Sequence, residues 1–385
     1  MRWLAFALGL WLVAFSASNL VFALVLPRPT RQRLVQLVTR SVRLAFVGVA
    51  RLARSYETKD RLLGPVGPVA LLVQLAVFLG LFVVGYGLSL TPWSGSPGLG
   101  LRQAGASLFS VGLAHVPGPT NEVLVSFVAA TGAITIALQI AYLPAIYSSF
   151  NRREALVTML ESRAGSPAWG PEILLRHQLV GITDALAGFY ASWEQWSAEL
   201  SESHTTYPVL LLFRSPDPWF SWVTSLIAVL DAAAMHLALC PDTAPSEARL
   251  CLRMGFSALR RIGTTLGWGY EADPLPDSPI DVSEADFAEA VSQLVAVGFP
   301  VQRPASEAWP HFRGWRVNYE SLAYRAADRF VAPPSPWSGP RRHLRTLEVS
   351  PYRPPHRSPG GRLVQQDHLY PRPSAGVPQR PPEAE

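Results

Sequence analysis

The sequence predicts an all-α membrane protein: three transmembrane helices, then a cytoplasmic helical domain, then a disordered Pro-rich tail. Three observations lead there. Only 16% of the 385 residues are charged and mean hydropathy is +0.18, against about 25% charge in an ordinary soluble domain. Three stretches without a single charge reach the about 20 residues that a helix needs to cross a bilayer. After residue 150 the pattern stays helical, with no useful run of strand alternation, until proline and arginine take over past Val331.

The first span, WLAFALGLWLVAFSASNLVFALVL, fills residues 3–26 of a 1–26 segment and is stopped by Pro27. Small residues at 16–18 suit a leader-cleavage site, but the apolar run continues past them and exceeds a signal core of about 7–15 residues. The second span is VGPVALLVQLAVFLGLFVVGYGLSL, 66–90, and the third is VLVSFVAATGAITIALQIAYLPAIY, 123–147. Charge orients them. Residues 27–65 are rich in arginine, the loop after span two has Arg102 as its one arginine, and Arg152 and Arg153 follow span three at once. The positive-inside rule therefore predicts a multi-pass protein of the cell (plasma) membrane with its N-terminus outside and its C-terminus cytoplasmic.

Within 27–65, Arg33, Arg40, Arg43, Arg51 and Arg54 recur at helical steps among leucine, valine and phenylalanine. Two readings fit: an interfacial helix on an anionic inner leaflet, or an amphipathic helix packed into the protein. Arg152 and Arg153 are read as further membrane-surface cations, so the lipid bilayer is the first partner.

The loop joining spans two and three has an unusual order: turn-rich TPWSGSPGLG, helix-compatible LRQAGASLF, then SVGLAHVP. This resembles the pore loop of the two-span potassium-channel superfamily, in which a short helix dips into the membrane and an extended filter returns the chain. Ser110, Val111 and Gly112 match the first three positions of the family's Thr-Val-Gly-Tyr-Gly-Asp. Leu113 stands for the aromatic residue, Ala114 for the second glycine and His115 for the aspartate. Residues 140–177, IAYLPAIYSSFNRREALVTMLESRAGSPAWGPEILLRH, and 201–215, SESHTTYPVLLLFRS, are similar to bacterial potassium-channel-like membrane proteins. The resemblance covers roughly residues 60–330. It implies a re-entrant pore module over 66–150, a homotetramer, a monovalent cation such as potassium as the transported species, and a regulatory cytoplasmic domain over 151–330.

The departures bear on that chemistry. A filter aims backbone carbonyls at a dehydrated ion, and some of those residues need left-handed dihedrals, which glycine adopts freely and alanine at about 1 kcal/mol. Histidine in place of aspartate removes negative charge from the mouth. Two readings stay open: a conducting pore with a divergent filter, or a non-conducting scaffold whose Pro-rich tail, 331–385, binds a cytoplasmic protein. In the third span, Gly132 is either a gating hinge or a packing face.

No metalloprotease, phosphate-loop, nucleophile-elbow or paired-cysteine motif is present, and Cys240 and Cys251 have no metal or redox spacing. The chain is read as no enzyme, with no cofactor, no metal and no nucleic-acid partner. Glu199, Glu202 and His204 are read as a solvated acidic face. Residues 219–239, with Asp231 at their centre, are read as a buried core helix and not a fourth span, because a central aspartate disfavours insertion by about 2.5–3.5 kcal/mol.

Overall fold

The computed structural model describes residues 2–25, 33–111 and 119–339. Among the described residues the protein is helical throughout, with no strand. Its packing divides into two units. The first comprises Met1–Glu154, Glu199–Pro218 and Arg261–Gly269; the second holds 155–198, 219–260 and the described part of 270–385. Residues 199–218, assigned from sequence to the cytoplasmic half, therefore pack with the apolar helices.

The first unit begins with α1 (Arg2–Leu24), α2 (Arg33–Ala50), α3 (Tyr56–Leu63) and α4 (Val66–Ser94). Helices α1 and α4 run antiparallel: Trp3 meets Trp93 at 6.1 Å between ring centroids, Gly9 lies against Gly85 and Ser89, and Leu20 shares a cluster with Phe78 and Leu79. Small residues at the crossing let the two backbones approach, as membrane helices require where dispersion replaces the hydrophobic drive. Helix α2 turns Val38, Val42 and Ala50 inward and lays Leu34 and Val35 on the α1–α4 cluster. It stops at residue 50, so Arg51 and Arg54 belong to the turn before α3 and not to one continuous basic helix. Ser55 caps α3 by accepting from the Thr58 N–H.

The stretch TPWSGSPGLG is mostly helix. Helix α4 continues through Ser94, and α5 (Pro97–Leu108) starts three residues later. Gly95 closes α4 at φ 85°, and Ser96 caps α5 by accepting from the Leu99 N–H, with Pro97 in the first turn. Each residue suits its place: glycine for the left-handed stop, serine for the cap, proline where no N–H is needed. Gly95→Ala is expected to destabilise the protein by about 1 kcal/mol, read as a fall of about 2–4 °C in its unfolding midpoint.

Helix α6 (Pro119–Ala164) is 46 residues long and continues through Pro144 and the NRRE segment. The second unit holds α7 (Gly170–Val180), most of α8 (Leu186–Thr206), α9 (Trp222–Leu239), most of α10 (Ser246–Thr265), α11 (Glu284–Ala296), α12 (Ala305–Arg316) and α13 (Glu320–Arg329); α7, α12 and α13 pack on α9, and α11 packs on α7 and α12. By length and composition α9 is the fourth helix able to cross a membrane, yet 94% of its apolar window is buried, against 17% for α1 and 22% for α6. A helix buried on all sides by its own chain has no face for lipid, which fits the core-helix reading.

The tail does not begin at Val331. Ala332, Ser335, Trp337 and Ser338 are buried, the Ser335 hydroxyl donates to the Ala168 carbonyl at 2.8 Å, and the Trp337 ring meets Trp169 and Phe312. A Pro-rich segment can pack this way because its prolines bring no N–H needing a partner. The rest of the tail, 340–385, lies outside the described residues.

Candidate functional site

Helix α5 folds back along α4. Gly100 sits against the Gly87 backbone, a Cβ added at Gly105 would lie 4.0 Å from the Val83 side chain, and Leu108 joins a cluster with Phe78, Leu79, Phe82 and Val128. As α5 advances, its partners on α4 step backward, so the two helices are antiparallel. The 12 residues of α5 make about 18 Å of helix, a little over half of the about 30 Å hydrocarbon core. Helix α5 is thus a half-length helix that starts beside one end of α4 and ends beside its middle.

Glycines make this possible. A Cβ at Gly100 would strike the Gly87 carbonyl, and one at Gly132 would strike the Leu108 carbonyl. Gly132 is therefore the seat for the last turn of α5 on α6: the structure supports its packing role, within a helix that continues through it. Tyr86 of α4 lies 2.8 Å from Thr131, whose own proton goes to the Phe127 carbonyl, so the tyrosine donates and ties α4 to α6.

The end of α5 is capped by its own backbone. The Ser110 N–H donates to the Ser107 carbonyl and the Val111 N–H to the Ala106 carbonyl, with Ser110 at φ 56°. This is the Schellman pattern, with serine in the left-handed seat where glycine is usual. Phe109 and Val111 are exposed. Gly112, Leu113, Ala114 and His115 lie outside the described residues. The carbonyl end of a helix carries about half a negative charge, so α5 directs a cation-attracting terminus toward the middle of α4. Gln103, buried on α5, has no hydrogen-bond partner for its Oε1 among the described residues. Sequence reading passed over it, and over the Gly100–Ala104 pair, whose four-residue spacing is a small-residue packing signal.

The basic residues fall into different surroundings. Arg33, Arg40, Arg51 and Arg54 are exposed, Arg43 is half-buried, and Arg152 is exposed 3.8 Å from Glu199. Arg153 is not a surface cation: it is buried, with Nε donating to Glu154 at 2.7 Å, Nη1 to the Leu210 carbonyl at 3.0 Å and Nη2 to the Phe213 carbonyl at 2.8 Å. Sequence reading placed it at the membrane surface because it follows a span. Its position on the inward face of α6, four residues after buried Ser149, is what decides. Nor does His204 belong to a solvated face: it is fully buried, with Nε2 3.1 Å from Arg153 Nη1. Burial first, and the Arg153 charge second, hold its pKa well below the usual 6.5.

In the second unit, Arg316 is fully buried and paired with Asp231 and with Glu320, the latter at 2.6 Å. It also donates to the Tyr324 hydroxyl at 2.9 Å and the Trp337 carbonyl at 2.7 Å, and Tyr319 donates to Asp231 at 2.6 Å. Gly170 packs on the Asp231 Cβ, where a side chain would not fit. These groups form a buried structural knot in which Arg316 and Tyr319 both bond Asp231 Oδ1, while Asp231 Oδ2 has no hydrogen-bond partner among the described residues. Burial raises the Cys240 thiol to about 11 and lifts Cys251 as well, so neither is poised as a thiolate nucleophile.

Fold and site together describe an all-helical chain with four helices long and apolar enough to cross a bilayer, the pattern of a multi-pass membrane protein, carrying one half-length helix folded between two of them. No family model, curated protein or solved structure matches the chain.

Proposed function

We propose that the chain is one subunit of a potassium-channel-like pore, which passes a monovalent cation through a divergent filter and is regulated by its cytoplasmic helical part. The observation that carries this reading is α5, whose carbonyl end stops beside the middle of α4 and is seated on Gly132 of α6. Irregular backbone at membrane depth is tolerated where it is buried in protein or lines a cavity, and α5 ends at that depth in Ser110 and Val111. One loop cannot enclose an ion path, so the subunit acts as a homotetramer. The N-terminus lies outside, 91–122 outside, and the chain from 150 onward in the cytoplasm, as the arginine distribution supports. Purified protein in liposomes is expected to pass potassium; no cation flux at any pH or voltage defeats the proposal.

Ala114 and His115 favour a second reading, a non-conducting scaffold that keeps the pore fold and binds a cytoplasmic protein through its Pro-rich tail. Ala114→Gly with His115→Asp separates the two. If wild type is silent and the pair opens a potassium current, the scaffold reading holds; if wild type already conducts, the channel reading holds.

A further inference from the structure

The SESHTTYPVLLLFRS block takes no part in the pore, yet it holds the ends of several helices in the first unit. The Phe213 ring lies on Gly67 at the start of α4 and on Tyr147 and Phe150 of α6, at 5.8 and 5.6 Å between centroids. Tyr207 meets Tyr142 of α6 at 5.4 Å. Arg214 pairs with Asp60 of α3 and donates to the Tyr56 hydroxyl at 2.7 Å. Between these anchors, the carbonyls of Leu210 and Phe213 accept from Arg153 of α6. Residues 207–214 thus form a strap across α3, the first turn of α4, and α6 at the end of its apolar stretch and just beyond it.

The strap closes on His204. Arginine has no acceptor, so at 3.1 Å from Arg153 Nη1 the His204 Nε2 must present its lone pair. The imidazole proton then sits on Nδ1, which bonds the Leu200 carbonyl and lies 3.0 Å from the Ser203 hydroxyl. We propose that His204 is a proton-operated latch: taking up a second proton, it releases the 207–214 strap from α6.

The geometry leaves a protonated ring no tolerable place. Its new N–H would face the N–H of a guanidinium, two cations about 3 Å apart and shielded from water, where like charges repel far more strongly than in solvent. The carboxylates nearby are directed elsewhere. Glu154 of α6 is already engaged with Arg153 Nε, Glu199 lies by Arg152, Glu202 is exposed, and the Pro208–Leu212 turn offers Arg153 a carbonyl in place of a charge. The sign follows from the neutral imidazole being favoured in the closed state. Its contribution is complete above pH 6.5, the free-imidazole value, and is lost as pH falls below it, by up to about tenfold in the closing equilibrium per pH unit.

The latch stands on this local geometry and holds whether or not the pore conducts, so its test reads structure and not flux. Full-length protein in lipid nanodiscs is followed by hydrogen exchange at pH 7.5 and pH 5.5, after correction for intrinsic rates. Exchange of the 207–214 amides is expected to rise about tenfold at the lower pH, with the 222–239 amides unchanged. His204→Gln, whose amide oxygen can still accept from Arg153, is expected to abolish the rise; His204→Asn reads the same should the glutamine variant not fold. Unchanged strap exchange in wild type, a rise that includes 222–239, or a rise that persists in a folded variant overturns the proposal.

Discussion

Arg316→Ala is expected to unfold the second unit's core at a markedly lower temperature than wild type. The substitution strands Asp231, fully buried, with only the Tyr319 hydroxyl, removes the charged partner of Glu320, and takes one of two donors from the Trp337 carbonyl that fixes residues 332–339. Breaking one partner of a buried pair costs about 3–5 kcal/mol, which for a unit of this size lowers the unfolding midpoint by about 6–20 °C. Intrinsic tryptophan fluorescence during thermal unfolding reads it directly, since Trp169 and Trp337 meet edge to face beside the knot. Because the loss comes from a stranded charge, changing Arg316→Met, Asp231→Leu and Glu320→Gln together is expected to recover most of it. A single variant with wild-type stability shows that the pair is not buried as described.

Gly132→Leu is expected to expel the end of α5 from its seat. Four added carbons would have to occupy the space of the Leu108 carbonyl and side chain, and neither backbone can give way within a pair of packed helices. Overpacking of this kind costs about 1–3 kcal/mol, which raises the open population of the last turn by about 5- to 150-fold. Ser107, buried in that turn, reports it. A Ser107→Cys substitution is expected to react with a membrane-impermeant maleimide far faster in the Gly132→Leu background than with Gly132 present. Equal rates show that α5 does not rest on α6. If the pore reading is right, cation flux falls in the same variant, while Gly48→Leu, at a glycine with open space around it, leaves flux intact.

Much of this architecture is written in local chemistry. Gly95, Ser96 and Pro97 stop one helix and start the next through backbone preferences that act on single residues, and the uncharged runs at 3–26, 66–90 and 123–147 declare their apolar surroundings without reference to any partner. The sequence pattern placed the turn-rich stretch too broadly, because TPWS has no helical signal of its own and is carried along by the helix before it. It also extended one basic stripe across 33–54, where periodicity continues but the hydrogen-bond ladder ends at residue 50.

The sequence by itself determined the helices, the uncharged spans and the breaks between them, since these follow from propensity, capping and the exclusion of charge from hydrocarbon. Only the tertiary structure decided which polar groups are hidden. Arg153, His204 and Arg316 look in sequence like any surface cation or imidazole. Their partners lie 51, 57 and 85 residues away along the chain, and burial of a charge depends on what faces it in space. The seat of α5 on Gly132 was likewise decided there. A missing side chain carries no signal of its own until another helix comes close enough to need the room.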